Sequence, residues 1–156
     1  MAAVEGPAEG PAGGPGIDPA CAEVAERLPA QGFMRHLGVT VLALRPGYCE
    51  LAVPHGPELA HWHGFFHGGV VGTMADVSTA GAAATVVEPG NQVLTAEYKI
   101  NMMAVADGDR LIARARVVRA GRRLIVAEAD IYADKGGEER HCATALATLM
   151  QMPRSD

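Results

Sequence analysis

The chain has 156 residues, of which 49% are hydrophobic and 20% charged, and its formal net charge is −5. This length is enough for one domain with a hydrophobic core. The acidic balance argues against a general nucleic-acid-binding protein, because neutralising phosphates needs a basic face. Most of the bases lie between Lys99 and Arg140, so a local anion site is possible in that half of the chain.

The N-terminal segment predicts a tail followed by a single domain. Residues 1–19 are rich in Gly, Pro, Ala and Glu, so we expect them to be disordered, with one folded domain over residues 20–152. The start lacks the charged and apolar regions of a signal peptide. Cys21, Cys49 and Cys142 are odd in number and widely spaced, which suits reduced thiols. We therefore predict a cytoplasmic protein.

A short helix is expected after the tail. Asp18-Pro19 is typical of a helix start, with Asp18 as the cap and Pro19 in the first turn. The helix should reach about Leu28, where Pro29 ends it. The apolar side chains of residues 33–37 should then fold this segment back onto the core.

Six strands are predicted from alternating apolar and polar residues and from the turn-forming residues between them. They are expected at residues 39–45, 48–53, 93–103, 110–119, 124–133 and 141–151. Short turns join the last four, which makes their sheet antiparallel. In either plausible register of the hairpin after residue 110, Arg114 faces Glu128 or Asp130, and the opposite charges support that pairing.

Residues 68–87 predict one long helix at the centre of the molecule. Nearly all of them are small or apolar, which is typical of a buried or membrane-spanning helix, and Asp76 is their only charge. A membrane span is disfavoured, since a carboxylate at its centre costs about 2.5–3.5 kcal/mol and no base flanks either end. We therefore predict an α+β domain in which an antiparallel sheet wraps around this helix.

Asp76 is a candidate catalytic residue, because a carboxylate in an apolar helix is costly unless it is paired or used. The residues one turn away, including Gly72 and Ala80, are small, so a ligand could reach it. It could act as a general base or a nucleophile. The alternative is a structural aspartate that is hydrogen-bonded to backbone or to a hydroxyl.

Gly68 and Gly69 open the helix, where unpaired amides could stabilise an oxyanion. Glycines at a helix start also occur for structural reasons alone. Gly68 and Asp76 are about 12 Å apart along one helix, whereas a reacting carbonyl must lie within about 3 Å of both. If the two cooperate, the protein is a dimer with its sites at the interface.

His61, His63 and His67 fall within seven residues, which is a spacing that metal ligands can have. The loop carries no cysteine, and its acid Glu58 has no special spacing to the histidines. We therefore predict no metal site, and expect these histidines to orient other groups or to form hydrogen bonds within the loop.

The run His67-Gly68-Gly69, followed by Asp76, resembles the signature of hotdog-fold acyl-CoA thioesterases of the phenylacetate-degradation type. The order of the elements and the start of the strand at residues 94–98 also resemble that family. The resemblance covers roughly residues 37–150. It implies a hotdog fold and hydrolysis of an acyl-CoA to a free acid and CoA. A homodimer or homotetramer would do this without a metal or bound cofactor, and the CoA phosphates would contact bases of the second half.

The resemblance also assigns roles to residues. Asp76 resembles the catalytic carboxylate, and Gly68 the residue whose amide polarises the thioester carbonyl. His67 resembles the histidine that supports this turn, and Thr95 falls near a Ser or Thr that holds the water. His61 stands where the family usually has Asn or Gln. A histidine can still donate a hydrogen bond there, although it is bulkier and can be charged.

Two other functions remain open on the same fold. One is a non-catalytic protein that binds acyl-CoA. The other is an enoyl-CoA hydratase or dehydratase, in which a catalytic histidine joins the helix carboxylate. In each case the partner is an acyl-CoA, and neither a nucleic acid nor a membrane is expected.

Overall fold

The computed structural model describes residues 16–154, which contain three α-helices and seven strands. The helices are α1 (Ala22–Ala30), α2 (Gly32–Leu37) and α3 (Gly68–Ala84). The strands are β1 (Gly16–Ile17), β2 (Thr40–Arg45), β3 (Tyr48–Pro54), β4 (Asn91–Met102), β5 (Arg110–Ala120), β6 (Leu124–Lys135) and β7 (Glu138–Pro153).

All seven strands form one sheet in the order β1-β2-β3-β5-β6-β7-β4. Every neighbouring pair is antiparallel except β1 and β2, which are parallel. The strand after α3, β4, lies at the far edge against β7, so the helix crosses the sheet between β3 and β4. The predicted α+β architecture, a long antiparallel sheet around one central helix, is confirmed.

The alternation in β5 and β6 gives the sheet its apolar inner face. Leu111, Ala113, Ile125 and Ile131 are completely buried, and α3 packs across these strands. On the outer face, the register sets Arg114 opposite Asp130, one of the two predicted positions.

The guanidinium of Arg114 is hydrogen-bonded elsewhere. It donates to Glu50 at 2.9 Å and to Glu139 at 2.6 Å, because β3 and β7 bring those carboxylates within reach on the same face. Arg116 forms the salt bridge with Glu128. The predicted ion pair between β5 and β6 is therefore formed by Arg116 and not by Arg114.

Gly81 allows the closest approach to α3. A Cβ at this position would lie 2.7 Å from the Cys49 sulfur and 2.9 Å from Cδ1 of Leu28. Because real Cβ atoms do not come that close to other atoms, the helix can pack against both β3 and α1 only with a glycine here.

The long helix ends at Ala84, three residues before the predicted end. The Thr85 hydroxyl accepts a hydrogen bond from the Gly47 amide at 2.8 Å and donates to the Ala82 carbonyl at 2.6 Å. The Val86 amide bonds back only three residues, to Ala83, which tightens the last turn. The contact with the turn between β2 and β3 therefore stops the helix.

In a single chain α3 is covered on one side only. Thr73, Asp76, Val77, Ala80 and Ala84 are all half-buried and recur every three to four residues. They form a stripe along the helix. The prediction of a helix buried all round is therefore wrong for one chain, because a single sheet layer covers only one helix face.

The folded domain begins earlier than predicted. Gly16–Ile17 pairs with β2, and Asp18 caps a 3₁₀ turn by accepting a hydrogen bond from the Ala20 amide at 2.9 Å. The end of the predicted tail is therefore ordered, and residues 1–15 lie outside the described range. Helix α1 does not end at Leu28 as predicted. It includes Pro29 in its last turn and ends at the next residue, Ala30.

Two of the three apolar side chains that were predicted to pack on the core after α1 are buried. Met34 and Leu37 are buried, whereas Phe33 is exposed. Cys21, Cys49 and Cys142 are buried free thiols. Between residues 16 and 154, no helix is both long enough and apolar enough to cross a membrane.

Candidate active site

Asp76 and Thr95 meet on the inner side of the sheet. The Thr95 hydroxyl donates a hydrogen bond of 2.7 Å to Oδ1 of Asp76. Asp76 is half-buried in the middle of α3, and Thr95 is half-buried on β4. The structure thus brings together the predicted carboxylate and the predicted hydroxyl residue.

A β-bulge in β4 positions the hydroxyl. Thr95 pairs with Leu149, but the next paired residue is Glu97, opposite Thr148, so Ala96 is the additional residue. A bulge of this kind shifts the alternation of side chains by one position. Thr95 therefore faces the helix while Glu97 lies on the outer face, where it accepts a hydrogen bond from the Thr148 hydroxyl.

Asp76 keeps one oxygen atom available. Among the described residues, no Lys, Arg or His forms a salt bridge with it, and its Oδ2 has no hydrogen-bond donor. The hydroxyl donor on Oδ1 is also the partner that the structural alternative expects, so the open Oδ2 is what distinguishes a reactive carboxylate here. This carboxylate has one oxygen fixed and the other open to accept a proton or to attack an electrophile.

The start of α3 is arranged around His67. This residue is the N-cap, and its Nδ1 accepts a hydrogen bond from the Gly69 amide at 2.9 Å. Because Nδ1 is the acceptor, the ring proton of the neutral histidine lies on Nε2. Within residues 16–154, the Gly68 amide has no hydrogen-bond acceptor. That amide is therefore a donor available to a ligand.

His61 supports its own loop. Its Nδ1 accepts a hydrogen bond from the His63 amide at 2.9 Å, and its ring packs edge-on against Phe65, with 5.6 Å between the ring centres. Trp62, at the tip of this turn, is 93% exposed. In this part of the chain, no three His, Cys, Asp or Glu side chains converge where a metal could be held.

A single chain separates the predicted site into two halves. Gly68 and His67 lie at the N-terminus of α3, with His61 in the loop that precedes it. Asp76 lies near the middle of the helix, about 12 Å from Gly68, and Thr95 contacts it from β4. No described contact joins the two halves within one chain.

A groove of about 320 Å³ opens beside Asp76, between α1, α3 and the start of β4. This groove was not predicted from the sequence. A helical-spacing signal was available, because Ala80 and Ala84 follow Asp76 at intervals of four and therefore share its face. Arg27 and Arg154 also line the groove, but no sequence pattern indicated this, because they come from separate elements.

Four of the nine basic residues between Lys99 and Arg140 have acidic partners among the described residues. Besides the two arginines described above, Arg110 pairs with Asp134 at 2.7 Å and Lys135 with Asp107 at 2.9 Å. These ion pairs involve basic residues that were predicted to be available for binding an anion. An anion-binding role for this half of the chain remains a prediction.

The thiols are poorly suited to nucleophilic chemistry. Burial raises the pKa of Cys142 to about 11 and also raises the pKa values of Cys21 and Cys49. The thiolate is the reactive form of cysteine, so these side chains are inert near neutral pH. Asp76 is left as the candidate nucleophile or base of the groove.

A family model and a related protein assign the chain to the same kind of enzyme family. Residues 63–140 match the model of the thioesterase superfamily. A proposed esterase of Saccharolobus solfataricus is 31% identical over 127 residues, which is 81% of this chain and 82% of that protein. The residues matched by the family model include His67, Gly68, Asp76 and Thr95, whereas His61 lies just before them.

Solved structures agree in fold. A thioesterase family protein from Silicibacter pomeroyi is 40% identical, with a TM-score of 0.83 over 86% of this chain and 99% of that one. A protein of Bacillus halodurans, whose crystal structure contains CoA, is 25% identical with a TM-score of 0.62 and 66% of each chain covered. The predicted hotdog fold is thereby confirmed.

Proposed function

The chain belongs to the thioesterase superfamily, and from this premise we propose that it hydrolyses an acyl-CoA thioester to a free acid and CoA. The observation that carries the proposal is the Asp76 carboxylate, fixed by Thr95 at 2.7 Å and open at its other oxygen beside a groove. The CoA bound to the Bacillus halodurans relative supports the choice of thioester.

The chemistry needs one base and one oxyanion donor. In the first route, Asp76 takes a proton from water while the water oxygen attacks the thioester carbonyl. In the second, Asp76 itself attacks, and water then cleaves the resulting anhydride. In both, the carbon–sulfur bond breaks and the departing CoA sulfur takes up a proton.

The Gly68 amide would stabilise the oxyanion at the positive end of the α3 dipole. It has no acceptor within residues 16–154, which supports this role. One chain cannot bring that amide and Asp76 to a single carbonyl, because they are about 12 Å apart. We therefore propose a two-fold dimer whose sites each combine Asp76 and Thr95 of one subunit with His67, Gly68 and His61 of the other.

The half-buried stripe on α3 supports this assembly. Its residues are small and largely apolar, and a single chain leaves them only half-buried. Two such helices packed antiparallel would overlap over residues 68–76, cover the N-terminal part of both stripes and set each carboxylate near the partner's helix start. Pairing of two dimers would then give the tetramer.

The experiment that tests the function is thiol release from a panel of acyl-CoAs, measured with a chromogenic thiol reagent. Hydrolysis of at least one thioester, with kcat about 10²–10⁴ lower in Asp76→Asn, is the expected result. Tight binding of acyl-CoA without turnover would contradict the proposal and indicate a binding protein. Loss of the conjugated absorbance of an enoyl-CoA, without thiol release, would instead indicate a hydratase.

A further inference from the structure

Strand β4 places more than one polar side chain along α3. Thr95 contacts Asp76 through its 2.7 Å hydrogen bond. Past the bulge at Ala96, the Tyr98 hydroxyl lies 3.2 Å from the position that a Cβ of Gly72 would occupy. Tyr98 therefore faces the helix as Thr95 does, one helical turn nearer the start of α3.

The hydroxyl of Tyr98 has no acceptor within one chain. Among residues 16–154 it forms no hydrogen bond, and its side chain is 41% exposed. By contrast, the Tyr48 hydroxyl donates to Glu50 at 3.3 Å. A tyrosine combines an apolar ring with a polar tip that usually finds a partner when it is buried. A molecule that covers this part of α3 should therefore supply an acceptor.

The proposed dimer keeps Tyr98 close to the reacting groups. When Gly68 of one helix is level with the partner's Asp76, Gly72 lies halfway between them, at the two-fold axis. Gly72 is one turn from Asp76, which is about 6 Å along the helix. The Tyr98 hydroxyl is thus one helical turn from the carboxylate at which the thioester is proposed to react.

An acyl-CoA carries a hydrogen-bond acceptor at that distance from its thioester. In the arm of CoA, the sulfur is followed by two methylenes and an amide, so five bonds separate the carbonyl carbons of the thioester and the amide. An extended chain advances about 1.2 Å per bond, which gives about 6 Å. The amide is costly to bury unless its oxygen accepts a hydrogen bond. Every acyl-CoA has this amide, whatever its acyl group.

We propose that the Tyr98 hydroxyl donates a hydrogen bond to the carbonyl oxygen of this first amide and so positions the CoA arm against α3. The inference rests on the proposed function, since the distance is counted from a thioester carbonyl held at Asp76. Gly72 contributes by having no side chain, because a Cβ at 3.2 Å would crowd the hydroxyl. Tyr98 contacts the substrate away from the bond that breaks, so it should affect binding more than the chemical step.

The test compares Tyr98→Phe with the wild type on one apolar acyl group carried by three thiols, with kcat and KM from thiol release. CoA and N-acetylcysteamine both contain the first amide, whereas n-pentanethiol replaces it with methylenes. With the first two thiols, the variant should raise KM roughly two- to twelvefold with little change in kcat. With the pentyl thioester, the variant should match the wild type. For a short thioester that is not hydrolysed, its Ki against the acyl-CoA gives the same comparison.

Two further variants serve as controls. Tyr48→Phe removes a phenol hydroxyl from the outer face of the sheet, where its partner is Glu50, and should leave the preference for amide-bearing thiols unchanged. Tyr98→Leu also lacks the hydroxyl and is used if the phenylalanine variant is unstable. It should lose the same preference as Tyr98→Phe.

The outcomes separate the two proposals. An equal rise in KM with all three thioesters would show a structural role, and no change with any of them would show no role. A loss that appears only when the acyl group carries a hydroxyl or carbonyl, and that persists in the pentyl thioester, would assign Tyr98 to the acyl group. Each of these results overturns the contact with the amide alone. Absence of turnover with every acyl-CoA would overturn the hydrolase function and this inference with it.

Discussion

The hydroxyl of Thr95 and the carboxylate of Asp76 lie 2.7 Å apart, although nineteen residues separate them in the chain. The helix supplies the acid and the edge strand supplies the donor. A hydrogen bond to one oxygen fixes the rotation of the carboxylate, so that the other oxygen keeps a defined direction into the groove.

Thr95→Val keeps the shape of the side chain and removes its hydroxyl. A hydrogen bond to a charged group contributes about 1.5–3 kcal/mol, so kcat should fall by roughly 10- to 100-fold. Thr95→Ser retains the donor and should keep most of the activity. Thiol-release kinetics measure both, and equal rates for the valine variant and the wild type would show that the hydrogen bond plays no part.

Asp76→Asn preserves volume and can still accept the Thr95 hydrogen bond, but it cannot take up a proton from water. Loss of general-base action should lower kcat by about 10²–10⁴. Thermal unfolding and circular dichroism should be near those of the wild type. Turnover close to wild type in a folded variant would remove Asp76 from the mechanism.

His61 is tested by two substitutions. If it donates a hydrogen bond to water or thioester in place of the family's amide, His61→Gln should retain much of the activity. His61→Ala should lose about 0.5–1.5 kcal/mol of transition-state stabilisation, more if the histidine is charged. Rates are compared across pH 6 to 9, and an alanine variant that matches wild type throughout would make His61 a spectator.

A mixed dimer tests the shared site. Asp76→Asn and Gly68→Pro chains should each be inactive alone, because one lacks the base and the other lacks the donor amide. In a heterodimer one site carries both lesions and the other neither, so co-refolding should restore about one working site per dimer.

Two observations would contradict the shared-site arrangement. One is a mixture that stays inactive although tagged heterodimers are isolated. The other is a fully active monomer, shown by sedimentation under assay conditions.

Gly81→Ala should destabilise the fold. The new Cβ would lie 2.7 Å from the buried Cys49 sulfur, and overpacking of this kind costs about 1–3 kcal/mol, partly offset by the better helix propensity of alanine. We expect a net loss of about 1 kcal/mol in urea unfolding. Gly32→Ala is the control, since no atom lies within 4 Å of its Cβ position and the variant should be neutral or slightly stabilised. Equal stabilities for the two variants would contradict the packing account.

Local patterns predicted most of the elements. The alternation in β5 and β6 has a period of two, and the small apolar residues of α3 predict a helix, so their structure follows from neighbouring residues. Asp76 was identifiable because it is the only charge in that apolar segment. The start of α3 depends on nearby residues, since His67 caps it through Gly69. Its end depends on a distant one, since contact with Gly47 decides where the helix stops.

The sequence by itself determined the order of α1, β2, β3, α3 and the last four strands, and the candidate carboxylate, because these depend on short-range periodicity and on the cost of an isolated charge; β1 and α2 were not predicted. Only the tertiary structure decided that Thr95 faces Asp76, since this depends on the register of β4 against β7 and on the bulge at Ala96. It also decided the rim of the groove, where Glu23 and Arg154 meet across 131 residues. Contacts between distant segments leave no periodic trace in either segment, and they form only when the whole chain packs.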